Sequence, residues 1–408
     1  MAGMLQKLYY TALWALDPHL KRMEQDIEVG DVHWQTIELP ARQTRALLAD
    51  QECEGFIYKD RRPPKDTKTG HTWVHIHELL WTVIRWETMY RFRVVFKGWS
   101  SFLHMLQDQR RAEIFKNYDL VFGGADLMLD LSDTPYELPS HGADYIRLLK
   151  EISEVTVLWP PISDVRSASK KWDTIQHLDD IAEHVTKTSR PWTRLEAPLH
   201  GSSFVLKREG SDGSRHRFFD PPLHDAQRML RKRGQYRWMA QQLIEPLRSC
   251  GEIRVYVIGG KVHSWVITCA DGDSWSVSAD LNIASLDEMK LSWETGQNKD
   301  WLLLSDGGVK AVLKENRRFM RSFVYKTYEA LRTRERKGDE LLSIDHLARV
   351  DISVMSNSEG QFDYFVNKVE RGVGVCKFFM GSYQATTKII DEWGLVMQAW
   401  MDGLKTYI

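Results

Sequence analysis

The chain has 408 residues, 43% of them hydrophobic and 27% charged, with a formal net charge of −1: the profile of a soluble globular protein long enough for two or three domains. A balance this near neutrality excludes a global electrostatic pull toward nucleic acid, so any anionic partner has to be met by a local patch. The four cysteines, Cys53, Cys250, Cys269 and Cys376, show no CxxC spacing, which argues against a disulfide framework or a cysteine zinc site and for a reducing compartment.

Residues 1 to about 50 read as helical and mixed, with Leu5, Leu8, Tyr9 and Leu13 at helical spacing. Gly55 to Lys59 reads as a strand, followed by a charged, proline-bearing loop through Gly70. Trp73 to Arg93 is rich in aromatics and helix formers; His75 and His77 share one side of a strand there, but without a third ligand nearby they read as partly exposed side chains. Tyr118 to Phe122, ending in Gly123-Gly124, and Val155 to Trp159, stopped by Pro160-Pro161, read as two short apolar strands. Strands alternating with helical stretches predict an α/β layer, here an N-terminal domain over 1–160.

A helix starts at Lys170-Lys171, and the strand Phe204 to Glu209 follows, with a glycine and serine turn after it, Gly210 to Ser214, able to wrap a phosphate or to close a plain hairpin. Arg217 to Phe219, a basic helical stretch and Trp238 to Ile244 complete a central, lid-like part over 161–248. Residues 249–408 form the last part. It opens on Gly251 to Val262, whose β-branched residues flank Gly259-Gly260, a hairpin signal. Glu252 and Arg254 stand two apart on one face of its first strand, either as a solvated ion pair or as a polar lining. Strands Leu347 to Met355 and Phe362 to Gly372 follow, then an amphipathic helix through Ile389, Trp393, Met397 and Trp400. No segment approaches the roughly 18 apolar residues of a membrane span, so a cytoplasmic protein without membrane contact is expected. The 16 tryptophans suit cores as well as deep pockets.

Taken in order over about residues 157 to 372, these pieces resemble the ATP-grasp superfamily. The resemblance implies an α/β (α+β) fold, with an N-terminal α/β domain followed by two α+β subdomains enclosing a cleft. It places Lys171 and Lys207 as phosphate-binding lysines and Ser211 in the flexible loop; Gln241-Gln242-Leu243-Ile244 becomes the adenine-reading hinge, with Gln242 binding the cofactor. Glu252 takes the place of the ribose-binding acid, Arg349 that of the family's arginine and Asp351 that of its first magnesium ligand. The last strand departs from the family's pattern, a glutamate with an asparagine two residues on. Here the chain has Asn367-Lys368-Val369; Lys368 is a cation where a metal would sit, Val369 cannot ligate, and Glu370 replaces a ligand only if the strand bulges. No metal site is therefore expected, and the catalytic candidates are Glu252, Arg254, Arg349, Asp351, Asn367 and Lys368.

A scaffold of this kind without its metal can still join an amine to a carboxylate that arrives activated, for example as an ester on transfer RNA. Two basic clusters offer a dock: Arg228, Arg231, Lys232, Arg233 and Arg237, and a second between Arg317 and Lys337 that includes Arg332, Arg334 and Arg336. A solvated helix face has the same composition. In length, cytosolic character and tryptophan richness the chain is similar to the fungal arginine-containing cyclodipeptide synthases. That resemblance implies arginyl-tRNA as partner and amino acids as substrates. An arginine side chain calls for a carboxylate, with Glu252, Asp351 and Glu370 as candidates, and for an aromatic face, with Trp265 and Trp275. Glu252 or Asp351 is the candidate base. Two other functions fit the same residues: an ATP- and magnesium-dependent carboxylate–amine ligase, and an inactive RNA-binding or scaffold protein.

Overall fold

A computed structural model describes residues 10–15, 34–53, 56–59, 70–123, 142–167, 171–196, 202–209, 217–232, 237–244, 247, 252–271, 274–278, 308–336, 338, 342–356, 362–372, 375 and 383–404. In chain order the elements begin with β1 (Tyr10–Ala15), β2 (Trp34–Pro40), α1 (Ala41–Ala49), β3 (Ile57–Lys59), β4 (His71–His77), α2 (Glu78–Met89), β5 (Phe92–Lys97), α3 (Trp99–Gln107) and α4 (Arg111–Phe115). Then come β6 (Leu120–Gly123), α5 (Gly142–Ser153), β7 (Val157–Trp159), α6 (Ile162–Ser167), α7 (Lys171–Ile181), β8 (Thr193–Arg194), β9 (Phe204–Arg208), β10 (Arg217–Phe219), α8 (Leu223–Arg231) and β11 (Trp238–Gln242). The last are β12 (Glu252–Ile258), β13 (Lys261–Asp271), β14 (Ser274–Ser278), α9 (Gly308–Glu335), β15 (Leu347–Ser356), β16 (Phe362–Arg371) and α10 (Tyr383–Leu404). Contacts group the chain into two units, one of residues 1–126, 131–165 and 372–408, the other of residues 127–130 and 166–371.

The first unit holds a parallel sheet, β5-β1-β6-β7, and a three-stranded antiparallel one, β2-β4-β3. Residues 10–15 are thus a strand, against the helical expectation for this stretch. Tyr10, Ala12 and Leu13 are all buried in the sheet, and a strand covered on both sides shows no alternation by which to recognise it. Five aromatic side chains, Trp86, Phe92, Phe122, Trp159 and Trp393, centre this unit; Phe122 stacks on Trp159 at 4.5 Å and Trp393 meets Trp86 at 4.9 Å. Trp393 comes from α10, which lies so close to α2 that a Cβ on Gly394 would stand 2.8 Å from Trp86 Nε1 and from two ring carbons of Tyr90. Arg85 also grips both oxygens of Asp391, at 3.0 and 2.6 Å. Residues 372–408 therefore group by contacts with the N-terminal part.

The second unit carries two antiparallel sheets. In the smaller, β10-β9-β11-β8, Phe204, Leu206 and Ala240 pack on Ala226 of α8. The larger runs β14-β13-β12-β15-β16, with Gly259 and Gly260 closing the β12–β13 hairpin at φ +54° and +75°, as that sequence requires. One face of it packs Ile253, Val255, Val257, Val350, Ile352 and Val354 against Phe323, Val324, Tyr328 and Leu331 of α9 and Leu178 and Ile181 of α7. The opposite face receives every second residue: Glu252, Arg254 and Tyr256 from β12, and Arg349, Asp351 and Ser353 from β15. The pairing of β15 with β16 slips by one residue, since Asp351 faces Lys368 while Ile352 faces Val366, leaving Asn367 over. Val366 and Val369 lie in the apolar core, so the bulge turns both Asn367 and Lys368 to the polar face, with Glu370 beyond them.

The chain is thus of the expected α/β (α+β) class, an α/β layer with a parallel sheet followed by two α+β modules. Among the described residues no helix is long and apolar enough to cross a membrane.

Candidate functional site

The polar face of the larger sheet is a floor of paired charges. Arg349 holds both oxygens of Asp351, at 2.8 and 3.0 Å, and the two side chains are 3% and 0% exposed. Arg254 binds Glu252 Oε1 through Nε at 3.0 Å and through a terminal nitrogen at 2.9 Å, while Asn367 Nδ2 donates to Oε2 at 3.2 Å. Lys368 Nζ donates to Glu370 Oε1 at 2.7 Å and stands 3.4 Å from Asp351 Oδ2. Burial works to raise the Glu252 carboxyl, but Arg254, Lys368 and Arg349 outweigh it and hold it down to about 2. Glu370 lies below the usual carboxylate range for the same kind of reason, with Lys368 and Arg349 overcoming its burial. The ion pair Glu252–Arg254 is therefore a buried part of the floor rather than a solvated surface pair.

On the smaller sheet, Lys207 of β9 and Arg217 of β10 stand opposite each other in register, on the face turned away from α8. Lys207 Nζ donates to Gln241 Oε1 at 2.5 Å, and Gln241 Nε2 donates in turn to Thr193 Oγ1 at 3.2 Å. Burial, together with Arg217, Lys368 and Lys171, pushes Lys207 down to about 7, and Glu252 pulls the other way. Those couplings put Lys171, at the first residue of α7, Lys207 and Arg217 within electrostatic reach of the floor's Lys368 and Glu252. With Lys171, Lys207 and Arg217 added, the charged side chains named here number six cations to three carboxylates, Glu252 acting on Lys207 and Arg217 and Glu370 on Lys171, a net surplus of positive charge within this set. Such a surplus suits an anion with several negative charges, above all a polyphosphate.

A divalent metal does not fit the floor. It needs several hard oxygens free to converge on one point. Here Arg349 takes both oxygens of Asp351, Arg254 and Asn367 take those of Glu252, and the Lys368 ammonium stands between Asp351 and Glu370. Among the described residues no three His, Cys, Asp or Glu side chains are placed to hold an ion together.

No protein-family model and no curated protein matches the chain. Among solved structures, D-cycloserine synthetase DcsG is similar at 13% identity, covering 96% of this chain and 99% of that one, with a TM-score of 0.46. The D-alanyl-alanine synthetase A of Vibrio cholerae is similar at 10% identity over 90% of this chain and 89% of that one, with a TM-score of 0.42. An N5-carboxyaminoimidazole synthase from Aspergillus clavatus, in complex with ADP and 5-aminoimidazole ribonucleotide, is similar at 10% identity over 89% and 69%, with a TM-score of 0.40. Likenesses at these scores carry no argument about this chain, whose site rests on its own geometry.

That geometry brings together Lys171, Lys207, Glu252, Arg254, Arg349, Asp351, Asn367, Lys368 and Glu370 as the sequence suggests, and departs from it at three points. Gln242 is replaced by its neighbour: in the strand pairing Gln242 stands with Phe204 on the α8 side and its Oε1 accepts from the Trp192 amide at 3.4 Å, whereas Gln241 shares the face of Lys207. Trp265 lies in the core under α9, with Arg321 over its ring at 5.4 Å, because it pairs with the inward Val255; it offers no face to a substrate on the floor. Arg217 went unread because three residues of strand give no alternation to place it, and its register partner Lys207 is the signal that could have found it. Ser211 and Arg233 lie outside the described residues, as does the side chain of Trp275 on β14.

The basic clusters are largely engaged within the protein. Arg332 and Arg336 both bind Asp345, Arg334 binds Asp180, and Arg237 binds Glu209 at 3.0 Å. Arg228 pairs with Asp225 at 2.9 Å, and with the exposed Arg231 and Lys232 it borders an open depression beside Trp238.

Proposed function

We propose that the chain is an amide-bond-forming enzyme of the ATP-grasp type, which uses a nucleoside triphosphate to join a carboxylate to an amine. One observation carries this reading: Lys171, Lys207 and Arg217 add three cationic side chains beside a buried floor whose own charges are paired with one another. A bound triphosphate supplies the phosphoryl group that makes a carboxylate reactive toward an amine. The chain's own residues have separate tasks. Lys207, steered by Gln241, and Lys171 and Arg217 neutralise and orient the phosphates; Arg254 and Arg349, held by Glu252 and Asp351, are locked in place to meet developing negative charge. Incubating the protein with ATP and pools of amino acids as carboxylate and amine donors should release ADP and phosphate in step with amide product. Lys207→Ala should abolish that release; product without ADP, or none with any donor pair, sinks the reading.

A second reading is supported by the same floor. A site that offers no room for a divalent ion suits a carboxylate that arrives already activated, and the cations beside Trp238 on α8 suit a nucleic-acid backbone. On this reading the protein takes arginine from arginyl-tRNA and a second amino acid from its own tRNA ester, and each of the two amide bonds of the cyclic dipeptide releases one tRNA. Arginine, a second amino acid and ATP then yield nothing until arginyl-tRNA and the second aminoacyl-tRNA are supplied, and dipeptide formed without tRNA excludes it.

A further inference from the structure

Lys368 is the cation of Glu370, and its position reaches beyond that one pairing. A regular β16 would place residues alternately, but the bulge at Asn367 turns Lys368 to the floor, directly opposite Asp351. Its Nζ stands 2.7 Å from Glu370 and 3.4 Å from Asp351, a spot between two carboxylates of the kind a metal takes. The floor could be neutral without it being reachable, yet its side chain is 43% exposed, against 0% for Asp351 and 16% for Glu370. An ammonium has three N–H donors; one is donated to Glu370, and a second has Asp351 at ion-pair distance. A third is left for an oxygen of a ligand in the cleft.

We infer that Lys368 is a built-in cation standing in for the divalent metal of a phosphate-binding floor, so that the cleft takes a polyphosphate in its metal-free form. The inference rests on the proposed nucleotide binding and adds the form in which the nucleotide is held. A metal-free polyphosphate carries more negative charge than its magnesium complex, and the surplus of Lys171, Lys207 and Arg217 is placed to receive it. A metal-bound phosphate would instead bring a dication against the Lys368 ammonium. Lys368 does no bond making here; it is a binding residue for the phosphate oxygens.

The test measures binding of ATP, and separately of inorganic pyrophosphate, to the full chain by calorimetry in EDTA and in magnesium. Wild-type protein should bind ATP in EDTA, and excess magnesium, which takes up the free nucleotide, should weaken the apparent affinity by about tenfold or more. Lys368→Met should weaken binding in EDTA by about tenfold to a hundredfold, the cost of one charge-assisted hydrogen bond. Lys368→Glu, which sets a third carboxylate beside Asp351 and Glu370, should bind ATP only with magnesium or manganese and should show bound manganese by electron paramagnetic resonance. Wild-type binding that requires magnesium, or a manganese site in the wild-type protein, overturns the inference and leaves the ligase reading standing. Pyrophosphate bound in EDTA with ATP refused in both buffers supports the inference and removes the nucleotide; refusal of both ligands removes both. Should Lys368→Glu fail to fold, Lys368→Met and the wild-type manganese spectrum still decide.

Discussion

On β12 and β15, Ile253, Val255, Val350 and Ile352 point toward α9, and their neighbours one step along, Glu252, Arg254, Arg349 and Asp351, point the other way. Both sets are sequestered: Val350 and Ile352 are fully buried, and so are Asp351 and, within 2%, Arg349. The means differ. Apolar burial stabilises by roughly 25 cal/mol for each Å² removed from water. Burying charge costs several kcal/mol per ion and is repaid only by close pairing, so at best it breaks even. A face that contributes so little to folding is where the proposed ligand is expected to bind.

The largest effect should come from splitting a floor pair. Asp351→Ala leaves Arg349 buried without its bidentate partner and should destabilise by about 3–5 kcal/mol in chemical denaturation. Replacing both together, Arg349→Met with Asp351→Leu, should return most of that stability while polyphosphate binding stays lost; if the double variant is as unstable as the single, the floor contributes to folding after all and the contrast between faces fails. On the apolar face, Ile352→Ala should cost about 2–5 kcal/mol through the cavity it opens, with ligand affinity per folded molecule unchanged.

Smaller effects belong to Lys207. Lys207→Ala should weaken polyphosphate binding by about tenfold to a hundredfold without lowering the melting temperature, since burial already works against the charge it removes. The pH dependence follows from the same shift. The free amine titrates at about 7, facing Arg217, Lys368, Lys171 and Glu252, and an arriving anion raises it. Affinity should therefore be full below pH 7 and fall as the pH rises past it, by up to about tenfold per unit until the liganded group titrates as well. Lys207→Arg should remove that slope and serve as reference for the ligand's own titration; a wild-type profile parallel to that of the arginine variant would mean that Lys207 does not touch the anion.

The pattern of residues was enough, without a structure, for the β12–β13 hairpin, for β9, β15 and β16, and for α10. In each, local alternation, helical spacing or a glycine pair states the conformation by itself, and alternation on a known strand also says that Glu252 goes with Arg254 and Arg349 with Asp351. What only the tertiary structure decided depends on distant neighbours. Tyr10 to Ala15 became a strand because β5 and β6 flank it on both sides. Gln241 rather than Gln242, and Trp265 inside rather than at the site, follow from which face of each sheet a helix covers, a fact no single strand carries. Lys368 reached the floor through a one-residue slip against β15, and a slip is a property of two strands together: it turns a lysine that the sequence shows only as out of pattern into a cation between Asp351 and Glu370.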